Sequence, residues 1–149
     1  MTRKSFILSL SLYLCMTFSA ATLAADNRRL VLVTRVDSGI PTLTASEVRR
    51  LFLGVPLFSN GTPVQALRNA STPLVEEVFL QKVLFMSRES YERMLLTKVM
   101  HSGGVRPLIY NTEAELFHAL ENNRSAVTYI WSDTLSGKSL KIIAELWQE

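Results

Sequence analysis

The sequence predicts an α/β layer fold, in which helices flank a mixed, partly parallel sheet. Two observations lead to this prediction. Short apolar and β-branched runs alternate along the chain with longer segments whose apolar residues recur every three or four positions. Hydroxyl residues that can cap a helix stand before several of the longer segments, and glycine, asparagine or proline marks the turns. Alternation of this kind is typical of a sheet covered by helices.

The amino terminus is predicted to be a cleaved signal peptide that takes no part in the fold. Arg3 and Lys4 give it a positive start, and the apolar stretch over residues 5–18 is too short to span a bilayer comfortably. Small residues follow, which favours cleavage after Ala24 or Ala25. We therefore expect residues 1–25 to be removed, and the mature protein to be exported.

The mature chain, residues 26–149, is predicted to form one domain with its own core. The only cysteine, Cys15, lies in the signal peptide and follows Leu14, whereas a lipid-anchor signal needs a small residue there. The mature chain thus has no thiol for a disulfide, a nucleophile or a metal site. Without Arg3 and Lys4, 16 − 2 = 14 basic residues face 13 acidic ones, so the sequence does not predict a nucleic-acid binder.

The first elements are a strand and a capped helix. Residues 29–36 form an apolar, β-branched run that predicts a buried strand. Residues 44–47 read Thr-Ala-Ser-Glu, a capping box that starts a helix. The apolar face of this helix consists of Val48, Leu51 and Phe52, and Gly54 stands where a helix-ending glycine is expected.

A turn, a strand and a second helix follow. Asn60 and Gly61 can adopt the positive φ of a tight turn, and residues 63–67 predict the second strand. A helix is expected from about Pro73 to Leu84. The residues spaced for its buried face are Val75, Val78, Phe79 and either Lys82 or Val83.

The last third of the chain predicts two more helices and two strands. The third helix covers residues 87–100 and ends at the glycine pair 103–104. A second capping box at residues 112–115 starts the fourth helix, and residues 125–131 predict a strand. Residues 139–147 predict a final edge strand. The residues expected to face inward from the third and fourth helices are Tyr91, Met94, Leu95, Val99, Leu116, Phe117 and Leu120.

The loop after the second strand admits two interpretations. Arg68, Ser71 and Thr72 stand beside a predicted helix start, where unpaired N–H groups and positive potential can hold a phosphate, a sulfate or a carboxylate. Alternatively, Thr72 only caps the helix with Pro73 in its first turn, and Arg68 pairs with a carboxylate such as Glu76 or Glu77.

The order of these segments resembles the second lobe of periplasmic phosphate-binding proteins, the solute-binding subunits of phosphate ABC transporters. The resemblance covers nearly the whole mature chain but only one lobe of that family. It is carried, in chain order, by Leu43-Thr44, Leu51-Phe52-Leu53-Gly54, Asn60-Gly61, residues 64–67, Arg68, Ser71-Thr72, Tyr91, Gly103-Gly104, Pro107 and residues 121–130.

The resemblance implies a single periplasmic-binding-protein-like lobe with three layers, located in the periplasm. It implies a solute-binding module that contacts phosphate or a similar small oxyanion at Arg68, Ser71 and Thr72. The alternative is an interaction module without ligand, which docks on a membrane sensor or transporter of the cell envelope. No catalytic pattern is present, so we expect no enzyme and no cofactor. Neither His101 nor His118 has a partner at metal-ligand spacing.

Overall fold

A computed structural model describes residues 28–149, so the predicted signal peptide, its cleavage site and Cys15 lie outside the described residues. The elements of the described chain are, in order, β1 (Arg29–Arg35), α1 (Ala45–Phe52), β2 (Phe58–Ser59), β3 (Thr62–Pro63), β4 (Gln65–Asn69), α2 (Pro73–Val78) with a π-helical turn (Phe79–Leu84), α3 (Arg88–Ser102), β5 (Leu108–Tyr110), α4 (Glu113–Asn122), β6 (Ala126–Trp131), a 3₁₀ turn (Ser132–Leu135) and β7 (Leu140–Gln148).

Five of the strands form one mixed sheet in the order β5-β4-β6-β1-β7. β4 lies between β5 and β6 and runs parallel to both, whereas β1 lies antiparallel to β6 and to β7. The short strands β2 and β3 form a separate hairpin, whose turn residues Asn60 and Gly61 have the predicted positive φ values. The partly parallel sheet and the edge position of the last strand are confirmed.

The side chains of each strand alternate between two cores, one on each face of the sheet. Leu30 and Leu32 of β1 face α1, α2 and α3, while Val31 and Val33 face α4. In the larger core the rings of Phe79 and Tyr129 stack with centroids 3.7 Å apart. The protein is therefore a three-layer α/β lobe, as the sequence predicts.

The predicted helix starts are confirmed. Thr44 and Glu47 form a complete capping box, in which the Thr44 N–H donates to Glu47 Oε2 at 2.8 Å. Thr112 accepts from the Glu115 N–H at 3.3 Å and donates its own hydroxyl to the Glu115 carboxylate. None of the helices in residues 28–149 is long and apolar enough to cross a membrane.

Three details differ from the sequence-based expectation. Val99 was expected to face inward but is 41% exposed, because the buried side of α3 is centred on Tyr91 and Leu95. The second helix changes to π-helical geometry at Phe79, which buries two adjacent pairs of apolar residues in its last turn. Strand β5 was not predicted at all, since its three residues carry no strand-length pattern and are mostly exposed at the sheet edge.

Candidate functional site

The loop that follows β4 is a capped helix start. Thr72 has extended backbone geometry and its hydroxyl accepts from the Val75 N–H at 3.3 Å. Pro73 occupies the first turn of α2, where a missing N–H costs nothing. One of the free N–H groups that an anion would use is thus already bound to the cap.

Asn69, which the sequence analysis did not single out, organises the same loop. Its Oδ1 atom accepts from the N–H of Ser71 at 3.0 Å and from the hydroxyl of Ser71 at 2.6 Å. Its Nδ2 atom donates to the carbonyl of Tyr129 at 3.0 Å, which ties the loop to β6. The signal for this role was an asparagine two residues before a serine, the spacing of an Asx turn. Ser71 therefore directs its hydroxyl at Asn69.

Arg68 lies inside the fold, where two carboxylates hold it. Only 2% of its side chain is exposed, and it reaches towards α2 and α3 from near the carboxyl end of β4. Its Nη2 donates to Glu76 Oε1 at 2.8 Å and its Nη1 donates to Glu92 Oε1 at 2.7 Å. The guanidinium lies 4.7 Å from the centroid of the Tyr91 ring. The pairing of Arg68 with Glu76, one of the two alternatives in the sequence analysis, is confirmed.

The contacts continue outward into a chain of alternating charges, which we call the arginine–glutamate chain. Its five members are, in order of contact, Arg88, Glu76, Arg68, Glu92 and Arg106. Arg88 Nη1 lies 2.6 Å from the second oxygen of Glu76, and Arg106 Nη2 lies 2.5 Å from the second oxygen of Glu92. All four carboxylate oxygens are thus occupied, which is the condition for burying a charge such as that of Glu76.

Burial and hydrogen bonding shift the protonation of the groups around Arg68. Burial by itself lowers the pKa of Arg68, but its hydrogen bonds to Glu92 and Glu76 outweigh that and raise its pKa above the ordinary value. Burial also raises the pKa of the phenols of Tyr91 and Tyr129. Arg68 therefore stays charged and both tyrosines stay neutral at any physiological pH.

Two buried donor atoms in the described chain have no hydrogen-bond partner. They are Nε of Arg68 and the hydroxyl of Tyr129. A buried donor without an acceptor destabilises a fold by about 1–3 kcal/mol.

The remaining polar candidates have local partners. His101 contacts the Thr97 carbonyl and His118 contacts Asn122, in each case within its own helix. No group of three metal-ligating side chains occurs in the part of the chain that the structure describes. Gly103 ends α3 with φ of 61°, the structural role that the sequence favoured.

A concavity lies at the opposite end of β4, and no sequence motif marks it. It encloses about 380 Å³ between the end of α1, the first residues of β4 and residues 105–107. Gln65 lies at this end, and the loop with Ser71 and Thr72 follows the other end of the strand. The five residues of β4 place the two ends roughly 13 Å apart.

Comparison with known proteins gives likeness of structure only. No family model matches the chain, and no curated protein matches its sequence. One similar structure is a protein from Clostridium perfringens assigned as a phosphate ABC transporter substrate-binding protein, determined with bound phosphate. The two sequences are 15% identical, the match covers 78% of this chain and 45% of the other, and the TM-score is 0.60. Another is an ABC-type phosphate transport receptor from Vibrio cholerae, with 15% identity over 78% of this chain and 46% of its own, and a TM-score of 0.57.

The TM-scores establish the fold, whereas the low sequence identities leave the family open. The chain spans less than half the length of each of these structures. Its fold is that of one lobe of the solute-binding proteins of ABC transporters.

Proposed function

We propose that the protein is a non-enzymatic module of the periplasm that docks on a membrane-bound sensor or transporter through the exposed apolar segment over residues 96–109. The observation that carries this proposal is the distribution of exposed apolar side chains. Of the eleven large apolar side chains that are exposed in the described chain, six lie between residues 96 and 109. Clustered exposed apolar residues mark interaction sites more often than scattered ones do.

The chemistry of this segment fits a partner with negative charge. Residues 93–112 contain Arg93, Lys98 and Arg106 but no aspartate or glutamate. In a symmetric contact between two copies of the chain Arg93 and Lys98 would lie near the same cations of the second copy and repel them, whereas Arg106 is already paired with Glu92. An acidic, partly apolar face on a different protein would complement both features.

The internal pairing of Arg68 in the arginine–glutamate chain supports a docking role over a solute-binding role. An oxyanion at Arg68 would have to compete with Glu76 and Glu92, which already occupy both terminal nitrogens of the guanidinium. It would also meet the negative charge of those two carboxylates, which repels it. Export to the periplasm remains part of the proposal, because residues 1–27 lie outside the described chain.

A second candidate function is the binding of phosphate or a similar oxyanion at Arg68, Ser71 and Thr72. The observation that favours it is Nε of Arg68, a buried donor with no acceptor in the described chain. The loop also follows the carboxyl end of a parallel strand, where α/β folds commonly bind ligands. The similar structure from Clostridium perfringens was determined with bound phosphate.

The docking proposal is tested by photo-cross-linking in the cells that make the protein. A photoreactive amino acid replaces Met100, which is 74% exposed, and in a matched control it replaces Leu74, an exposed apolar residue on α2. We expect the Met100 probe to give one discrete adduct with an integral membrane protein, and the Leu74 probe to give none. If both positions give the same adducts, or neither gives any, the docking proposal is wrong.

The oxyanion candidate is tested by thermal unfolding of the mature protein with phosphate, sulfate and small carboxylates at fixed ionic strength. A ligand at one hundred times its Kd stabilises by about 2.7 kcal/mol, which raises the midpoint by several degrees. We expect no specific rise. A phosphate-dependent rise that Ser71→Ala abolishes would establish the second candidate, and Ser71→Ala is preferable to Arg68→Ala because it leaves the buried charges paired.

A further inference from the structure

We propose that the concavity at the amino-terminal end of β4 binds a small apolar monocarboxylate. The inference goes beyond the proposed function and does not depend on it. We call this concavity the β4 pocket. Its volume of about 380 Å³ falls within the range of small-molecule sites, and its walls are mostly apolar. The apolar residues that line it include Leu51, Val55, Pro56, Val64, Val105 and Pro107.

The walls of the β4 pocket are held in place by backbone contacts. Gly54 follows α1 with φ of +80°, and a Cβ atom there would lie 3.0 Å from the Val105 carbonyl oxygen. A Cβ atom on Gly104 would in turn lie 3.1 Å from the Gly54 carbonyl oxygen. Glycine at both positions lets the two segments touch directly, so the pocket is formed before any ligand arrives.

The polar groups on one side of the pocket are amide donors. The backbone N–H of Ser125 donates to Asn123 Oδ1 at 2.9 Å, which identifies that atom as the oxygen. Asn123 Nδ2 must then be the donor to Gln65 Oε1. Both amide oxygens are thereby used as acceptors, and Gln65 Nε2 is left as a donor among the residues that line the pocket.

The other side of the pocket carries a fixed positive charge. Arg106 lines it, and the contact of its Nη2 with Glu92 Oε2 holds the guanidinium in place. The structure records no partner within residues 28–149 for the Nε and Nη1 atoms of Arg106. No aspartate or glutamate lines the pocket. A carboxylate on an apolar body matches an arginine, an amide donor and aliphatic walls.

Isothermal titration calorimetry tests the assignment, with hexanoate as the probe and with acetate and hexanol as controls on the unaltered protein. We expect hexanoate to bind, acetate to bind at least about tenfold more weakly for lack of an apolar body, and hexanol to bind more weakly for lack of charge. Equal binding of hexanoate and hexanol overturns the proposal, as does an absence of hexanoate binding.

Two arginine variants locate the bound carboxylate. Arg106→Gln should weaken hexanoate roughly tenfold or more, because a charge-assisted contact is lost. Arg93→Gln, at an exposed arginine of α3 outside the pocket, should leave the affinity for hexanoate unchanged. Amide chemical shifts of Val64 and Ala66 should move on titration. Equal loss in both variants, or shifts confined to residues 70–75, overturns the assignment to this pocket and leaves the docking proposal untouched.

Discussion

The two ends of β4 use arginine and amide side chains in opposite ways. At the carboxyl end, Arg68 is buried and both of its terminal nitrogens are paired inside the protein. The N–H and the hydroxyl of Ser71 both donate to Asn69. At the amino end, Arg106 and Gln65 line a concavity, and each keeps donor atoms for which no partner is recorded among residues 28–149. The end that the resemblance to phosphate-binding proteins predicts as the ligand site is closed by internal contacts, and the end without a recognisable motif carries the proposed β4 pocket. Location in a fold alone therefore does not identify a binding site.

The largest expected effect is at the closed end. Arg68→Met should lower the free energy of unfolding by about 3–5 kcal/mol, because it leaves the buried Glu76 and the partly exposed Glu92 without their shared cation. The measurement is urea unfolding at pH 7. Arg68→Met/Glu76→Leu should recover part of the loss. Glu77→Gln, at the exposed neighbour, should change stability by less than about 0.5 kcal/mol. A small effect of Arg68→Met would contradict the view that this end is closed by its ion pairs.

The next effect is at the open end. Gly54→Ala should destabilise by about 1–3 kcal/mol, through its positive φ and through contact with the Val105 carbonyl. Gly61→Ala is the matched control, since φ is +77° there but nothing lies within 4 Å of the added atom. The excess loss in Gly54→Ala over Gly61→Ala measures the close contact alone. Equal losses of stability in the two variants would mean that the wall of the pocket moves to accept the added methyl group, and that the pocket is not preformed.

A smaller effect concerns the cap of α2. Thr72→Ala should cost about 1 kcal/mol, whereas Thr72→Ser, which keeps the oxygen, should cost much less. Chemical denaturation of the two variants measures the difference. If Thr72→Ala proves neutral, the hydroxyl is free for another role, and the oxyanion candidate gains support.

The smallest effect is a pH dependence at the first helix. Hydrogen bonds from the backbone and the hydroxyl of Thr44 lower the pKa of Glu47 below its ordinary value. A lowered folded-state pKa stabilises the protein above the unfolded-state pKa, and that contribution is lost as the pH falls through the folded-state value. The stability difference between the unaltered protein and Glu47→Ala should therefore shrink as the pH is lowered from 7 towards 3. A difference that grows on acidification would contradict the capping role.

Local chemistry made much of this fold predictable, and long-range contacts account for what was missed. The caps at Thr44 and Thr72 and the turn at Asn60 depend on neighbouring residues, and all three were predicted correctly. The pairing of Arg68 with Glu76 was foreseen as an alternative because the two are only eight residues apart.

The ion pair between Arg68 and Glu92 could not be predicted from neighbouring residues. Glu92 is 24 residues from Arg68, and the packing of α3 against the sheet decides which of its sides meets β4. The β4 pocket was missed for the same reason, since its walls come from separate parts of the chain. Val99 was misplaced because periodicity gives the spacing of an apolar face but not its width. Ligand binding at Arg68, Ser71 and Thr72 stays a prediction.

The arginine–glutamate chain also has an evolutionary consequence. Because each carboxylate contacts two arginines, replacing any member removes a partner from at least one neighbour. Substitutions at these positions should show epistasis, and in related sequences the inner three members, Arg68, Glu76 and Glu92, should be kept or lost together. Arg106 belongs both to the chain and to the β4 pocket, so selection on ligand affinity at one end of the sheet would constrain which mutations the other end tolerates.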